Sequence, residues 1–154
     1  MVLMEACEKC PDEQMQAELT AYFRQLMDGL LKYQDVSTFL WYNVPNGREE
    51  LYYDKQTDTG VQRNYNIPET SGSSMFAYCL LKGYKCGFLA QEHRTAGLRA
   101  FNSLVETKLT EDGLVDILNS SSVVSESYRY MVSGYVTDDG KGAGPFILSA
   151  CYVE

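Results

Sequence analysis

The sequence predicts an all-α domain whose few β-strands are short and confined to the loops. Three observations carry that expectation. Apolar residues recur at steps of three and four through long stretches near the N-terminus and the middle of the chain. A run from Met75 to Leu81 is apolar nearly all the way round, as a buried helix is. Proline and glycine punctuate the chain between these stretches, where turns belong. About five helices result, and the helix at Met75 is the one the others are organised around.

In chain order, Met1 to Glu8 reads as the end of a helix that begins upstream, and Cys10-Pro11-Asp12 breaks it. Asp12 can cap the next helix, with Asp12 and Glu13 suiting its positive end. Met15, Leu19, Tyr22, Phe23, Leu26, Leu30 and Tyr33 then mark a long amphipathic helix to about Tyr33. Leu40 to Val44 reads as extended, and Pro45-Asn46-Gly47 ends it. Arg48 to Gln62 is polar, with the look of an excursion or loose hairpin. Pro68 closes a loop, and Glu69, Thr70 or Ser71 can cap the buried helix. Gly83 and Gly87 are its expected stops, with Lys82 and Lys85 near its negative end.

Gln91 to Lys108 predicts another amphipathic helix, with Leu98, Phe101, Val105 and Leu109 inward and Glu92, His93, Arg94 and Arg99 on the wet side. Glu111-Asp112-Gly113 is a turn and Leu114 to Leu118 a short strand. Asn119 to Ser125 is serine-rich, and Tyr128 to Val132 alternates as a strand does. Gly140, Gly142 and Gly144 predict a flexible loop, Pro145 a helix start, and Phe146 to Val153 a last buried helix.

Composition narrows the function. A chain of 154 residues, 45% hydrophobic and 22% charged, suits one domain over residues 1–154. A net charge of -8 with no basic run excludes nucleic acid as a partner. No apolar stretch reaches the roughly 18 to 20 residues of a membrane span, and the N-terminus does not look like a signal peptide. Five cysteines, an odd number, read as free thiols in a cytoplasmic protein.

Most chemical constellations fail on spacing. Cys7-x-x-Cys10 lacks two further ligands at zinc spacing, so no metal or cofactor is expected. Gly140-Lys141-Gly142 misses the phosphate-loop pattern twice, although glycine amides beside Lys141 at a helix start could receive a carboxylate. The side chains of the adjacent Asp138 and Asp139 diverge, and His93 reads as a surface histidine. The polar, serine-rich rim at Ser71 and Gly72 reads either as a binding mouth or as a plain cap. Trp41 with Tyr42 is either a flat platform for a sugar or a core anchor.

Four motifs occur together in one order: Tyr33-Gln34-Asp35 with Leu40-Trp41-Tyr42, then Glu69-Thr70-Ser71-Gly72-Ser73-Ser74-Met75-Phe76, Asp112-Gly113-Leu114-Val115, and Asp139 to Leu148. This set resembles the unsaturated uronyl hydrolases of glycoside hydrolase family 105, related to family 88. The resemblance implies an (α/α)6 barrel, of which this chain would be the C-terminal half. It implies hydration of the double bond of a 4,5-unsaturated uronic acid ending a pectin or rhamnogalacturonan oligosaccharide. The aspartates that do this chemistry in the family lie upstream of Met1, so no catalytic residue is expected here. Substrate binding is expected at Trp41, Tyr42, Ser71, Gly72, Lys141 and Gly142. Three features depart from the pattern. Phe39 stands where the family's GLWY segment has glycine, Ser120 to Val124 replaces a glycine-rich turn, and Arg48 to Gln62 reads as an insertion.

Two functions follow from this reading. One is part of a uronyl hydrolase; the other is a non-catalytic structural or binding remnant. In either case a cut ring would leave Met1 to Met4 and Phe146 to Tyr152 with apolar sides uncovered, predicting a homo-oligomer through that face.

Overall fold

The structure, a computed structural model, describes residues 1–45, 66–119 and 134–154 together with the backbone of 52–53 and 62–63. The described residues form five helices: α1 (Val2–Lys9), α2 (Glu13–Leu31), α3 (Thr70–Lys85), α4 (Gln91–Thr107) and α5 (Gly140–Ala150). The strands are two residues each: β1 (Tyr52–Tyr53), β2 (Gln62–Arg63), β3 (Leu109–Thr110), β4 (Gly113–Leu114), β5 (Ile117–Leu118) and β6 (Tyr135–Val136). They pair antiparallel as β1–β2, β3–β4 and β5–β6, with Tyr52 opposite Arg63, Leu109 opposite Leu114 and Ile117 opposite Val136. The described fold is therefore helical with small ribbons in its loops, and the excursion after Pro45 does contain a paired ribbon. The strand expected at Tyr128 to Val132, and all but the first residue of the serine-rich segment, lie outside the described residues.

Helix α3 is the centre. It packs along α4 and α5, while α1 lies on α2. Every residue from Ala77 to Gly83 on α3 is buried, as expected of a helix with no polar face. Phe23 and Met27 of α2, Leu40, Trp41, Ala100 and Leu104 close the core around it.

Several local expectations are corrected, and close helix approach explains most of them. Gly83 does not stop α3 but sits inside it, where a Cβ would fall 2.7 Å from Leu89 and 2.8 Å from Phe23. The stop is Gly87, at φ +75, with its N–H on the Tyr84 carbonyl and the Phe88 N–H on that of Gly83, a Schellman turn. The buried face of α4 is mostly small residues, Ala96, Gly97, Ala100 and Ser103, with Leu104 and, in its first turn, His93. A Cβ on Gly97 would press to 3.0 Å on Leu80 and Leu81, so α4 approaches α3 too closely for a leucine face. Val105 and Leu109, expected inside, are exposed.

Helix α5 starts five residues earlier than the glycines suggest. Asp139 caps it by accepting from the Lys141 N–H at 2.8 Å, and Pro145 lies within it. Its inward face is Gly142, Pro145 and Ser149, whereas Ile147 and Leu148 point outward. Leu114 to Leu118 is not one strand, because Asp116 turns the backbone through φ +58 between β4 and β5.

Lys82 and Lys85 lie in the last turn of α3 as expected, and Lys82 is buried there. It is 5% exposed and ties α3 to α1, with Nζ donating to Glu5 at 2.6 Å and pairing with Glu8 at 2.7 Å. The Tyr78 hydroxyl donates to the same Glu5 carboxylate. Hydrogen bonds from Lys82 and then Tyr78 pull Glu5 down to about 2. Burial alone would lower the Lys82 ammonium, but Glu5 and Glu8 outweigh it and hold it above the ordinary lysine range.

Candidate functional site

The other end of α3 gathers all four motifs. Pro68 precedes the helix and pairs across an isolated bridge with Tyr42. Glu69 is the cap residue, and its buried carboxylate is a hub rather than a simple cap. Oε1 accepts from the Ser71 N–H at 2.8 Å, the Ser71 hydroxyl at 2.7 Å and the Leu118 N–H at 3.0 Å; Oε2 accepts from the Gly72 N–H at 2.6 Å. A Cβ on Gly72 would lie 3.1 Å from Oε2, which explains glycine at that position. The Glu69 N–H donates to the Trp41 carbonyl at 2.9 Å, and the Trp41 N–H donates to the Ser73 hydroxyl at 3.0 Å. The loop at 40–45 is thereby stitched to the first turn of α3.

The later motifs join from the opposite side. The Thr70 N–H donates to the Asp116 carbonyl at 3.1 Å and its hydroxyl to the Val115 carbonyl at 2.7 Å. Lys108 holds the Asp116 carboxylate at 2.6 Å. Lys141, on the first turn of α5, donates its ammonium to the Leu118 carbonyl at 2.7 Å. Leu118 is thus gripped twice, by Glu69 at its N–H and by Lys141 at its C=O. Tyr135, on β6, also meets this cluster. Burial, with the Glu69 and Asp116 charges adding to it, pushes its phenol up to about 12 against the lowering bonds to Ile67 and Asn43.

A tight turn sets the entry to this end. Asp35 Oδ1 accepts from the N–H and hydroxyl of both Ser37 and Thr38, at 2.6 to 3.0 Å. Burial pushes the Asp35 carboxyl up, but these bonds outweigh it and bring it to about 2. Gln34 donates to the Phe39 carbonyl at 2.8 Å and the Ala96 carbonyl at 3.1 Å, pinning the turn to α4. Asn66 clasps Val44 at both its N–H, 2.8 Å, and its C=O, 2.9 Å.

Each residue expected to bind substrate has a definite position. The Trp41 ring is enclosed at 1% exposure, donates Nε1–H to the Leu30 carbonyl at 2.8 Å and meets Phe76 edge-on at 5.2 Å. Of its two readings, the geometry fits the core anchor; only its backbone joins the cluster. Tyr42 is half-buried at the bridge to Pro68. Ser71, Gly72 and Lys141 are brought together through Glu69 and Leu118. Gly142 is a packing contact, since a Cβ there would fall 2.6 Å from Ile117. Of the amides beside Lys141 expected to receive a substrate carboxylate, those of Gly142 and Ala143 already donate to the Asp139 carbonyl, and the Lys141 N–H donates to the Asp139 side chain.

The sequence reading missed Tyr135, the Lys108–Asp116 pair and the role of Glu69 beyond capping. It also misplaced His93, which is 5% exposed rather than on the wet side. Its Nε2 lies 2.9 Å from Asp28 on α2, beside a cleft of about 340 Å³ lined by Arg24, Phe88 and Glu92 at the far end of α3. Among the described residues no group of three or more His, Cys, Asp or Glu is arranged to hold a metal ion, and no helix is long and apolar enough to cross a membrane.

Comparison with known proteins gives a consistent result. The sequence pattern of the family described as Glycosyl Hydrolase Family 88 matches residues 1–154. Protein Atu3128 of Agrobacterium fabrum is 32% identical over 167 aligned residues, covering 97% of this chain and 65% of that protein. A 24.9 kDa protein in the picA locus of Rhizobium radiobacter matches to the same extent. Among solved structures, a glycoside hydrolase from family 105 of C. acetobutylicum ATCC 824 superposes with a TM-score of 0.79 at 26% identity, over 98% of this chain and 42% of its own. A possible member of the GH105 family from Klebsiella pneumoniae superposes at 0.69 with 16% identity, a likeness of fold alone. The chain thus spans just under two thirds of the curated relatives' length and under half of these solved ones.

Proposed function

This chain belongs to Glycosyl Hydrolase Family 88, and on that premise we propose that it is the C-terminal part of an (α/α)6 uronyl hydrolase. In this reading it supplies the loop face against which an unsaturated uronic-acid-terminated oligosaccharide from pectin or rhamnogalacturonan rests, in the cytoplasm. The observation that carries the reading is the double grip on Leu118. Glu69 and Lys141, from two motifs far apart in sequence, hold one residue between them, and the loops at 40–45 and 112–116 bond to the same helix turn. Four motifs that resemble the uronyl hydrolases therefore meet at one end of α3. The rim left for a sugar is Tyr42, Ser71 and Lys141, each partly exposed. The five free thiols favour the reducing compartment.

Catalysis by this chain alone is not part of the proposal. Four carboxylates at this end are held: Glu69 by four donors, Asp116 by Lys108, Asp139 by its helix start and Asp35 by its turn. A general acid must instead be free to reach the substrate. The proposed general-acid aspartate comes from the remainder of the barrel. That observation also favours the second reading, a non-catalytic binding or structural unit.

The test uses an unsaturated uronic-acid disaccharide as probe. Backbone resonances of Tyr42, Ser71 and Lys141 should shift on titration while the ultraviolet absorbance of the double bond stays constant. No shift at millimolar disaccharide would remove the binding role, and loss of the absorbance would overturn the assignment of catalysis elsewhere.

A further inference from the structure

The polar segment that opens α3 carries hydroxyl groups at Thr70, Ser71, Ser73 and Ser74, and they are not equivalent. Thr70 is fully buried and spends its O–H on the Val115 carbonyl at 2.7 Å. Ser73 is fully buried and accepts from the Trp41 N–H, and Ser74 is equally enclosed. Ser71 alone of these is partly exposed.

Its hydroxyl has a fixed polarity. Oγ lies 2.7 Å from Glu69 Oε1, which also accepts from the Ser71 and Leu118 N–H groups. A carboxylate oxygen only accepts, so the hydrogen in this bond comes from the serine. What Ser71 Oγ has left for a ligand is lone pairs, with a negative charge one hydrogen bond away. Such a group receives a donor and repels an anion. Lys141, also partly exposed, has the opposite character. Its ammonium carries three N–H donors and spends one on the Leu118 carbonyl at 2.7 Å. It has no carboxylate partner among the described residues. An acceptor and a cation thus stand on either side of Leu118, whose N–H is tied to Glu69 and whose C=O is tied to Lys141.

We propose that Ser71 is the specificity-determining acceptor of this rim: its Oγ takes a hydrogen bond from a sugar hydroxyl and turns the carboxylate of that sugar away, toward Lys141. This rests on the binding role proposed above and adds what each side of the rim can read. The helix-start amides take no part, because those of Ser71 and Gly72 are spent on Glu69 and that of Lys141 on Asp139. The ligand class is a sugar acid with a free hydroxyl beside its carboxylate. A neutral sugar satisfies only the Ser71 side.

The experiment is NMR titration of the full chain with an unsaturated uronic-acid disaccharide, its uncharged methyl ester, and a set in which each hydroxyl in turn is replaced by fluorine. Ser71→Ala should keep the helical circular dichroism and weaken the disaccharide roughly fivefold to tenfold. Fluorine cannot donate, so one member of the set should lose that same factor on wild type and lose nothing further on Ser71→Ala. Esterification should weaken wild type and Ser71→Ala alike, whereas Lys141→Met should bind acid and ester equally. Undiminished binding by Ser71→Ala, no fluorinated member that matches it, or an ester penalty that vanishes with Ser71 and survives Lys141→Met would each overturn the proposal while leaving the binding role standing. Wild type that binds none of the probes would remove the binding role itself, and this assignment with it.

Discussion

The two ends of α3 both bury a charged side chain, and they handle it in different ways. At the C-terminal end Lys82 is 5% exposed and is paired with two carboxylates, Glu5 and Glu8, that remain partly in water. At the N-terminal end Glu69 is 6% exposed, and its hydrogen-bond donors are three backbone N–H groups and one hydroxyl. The first arrangement fastens one helix, α1. The second fastens a loop and a strand that otherwise have little to hold them. Ion pairing suits a joint between rigid helices; backbone amides around a carboxylate suit a place where several chain segments must meet.

The largest expected effect is therefore at Glu69. Glu69→Ala leaves three N–H groups without acceptors and unfastens Leu118, and should cost about 3 to 5 kcal/mol. Glu69→Gln should recover only part of this, because its NH₂ group must face the Gly72 or the Leu118 and Ser71 donors. Urea unfolding of the two variants measures both values. Equal stability of Glu69→Ala and wild type would show that the hub is ornamental.

Lys82→Met should cost less, about 1 to 2 kcal/mol, although breaking a fully buried pair is usually dearer. The reason is the partners: Glu5 and Glu8 have side chains 33% and 42% exposed and can be hydrated once released. The same joint has a pH dependence. Glu5 is lowered from an ordinary 4.5 to about 2 in the folded chain. A lowered carboxylate contributes stability that is complete above its unfolded value and is lost as pH falls through the folded one. Docking of α1 should thus weaken from about pH 4.5 down to 2, and Glu5→Gln should flatten that part of the stability curve. A curve unchanged by the substitution in that window would break the assignment.

The contrast between the ends also explains how much the sequence disclosed. Asp12 capping α2 and the turn at Gly87 are local signals that stood where the residues indicated, and the apolar run from Met75 to Leu81 is buried from Ala77 on, with Met75 and Phe76 half-buried. Gly83, Gly97 and Gly142 were misread as breaks or passed over because their reason is another element pressing close, which no local pattern contains. The cluster at the N-terminal end of α3 was legible as a set of motifs, yet its hub was not. Glu69 looks like any cap until Leu118, 49 residues later, is seen to share its carboxylate. His93 failed similarly: its neighbours Glu92 and Arg94 imply a wet face, and only the packing of α2 on α4 encloses it.

The smallest expected effect lies at Phe39, where the resemblance and the backbone point to the same atom. Glycine is expected there in the GLWY pattern, and Phe39 does stand at φ +57, a conformation that L side chains enter at a cost of about 1 to 2 kcal/mol. What offsets it is visible. The Phe39 N–H donates to the Asp35 carbonyl at 2.8 Å, its carbonyl accepts from Gln34, and its ring lies 5.4 Å beneath the Arg99 guanidinium. A cation over an aromatic face is worth about 0.5 to 1 kcal/mol at such a site. Phe39→Gly removes the strain and the stacking together, so its net change should stay within about 1 kcal/mol. Phe39→Val loses the stacking, keeps the strain and adds branching at Cβ, and should cost about 1 to 2 kcal/mol more than the glycine variant. Urea midpoints at constant slope separate the two. Valine equal to glycine would mean that the turn is held by the Asp35 network alone, and that the ring of Phe39 contributes nothing to its stability.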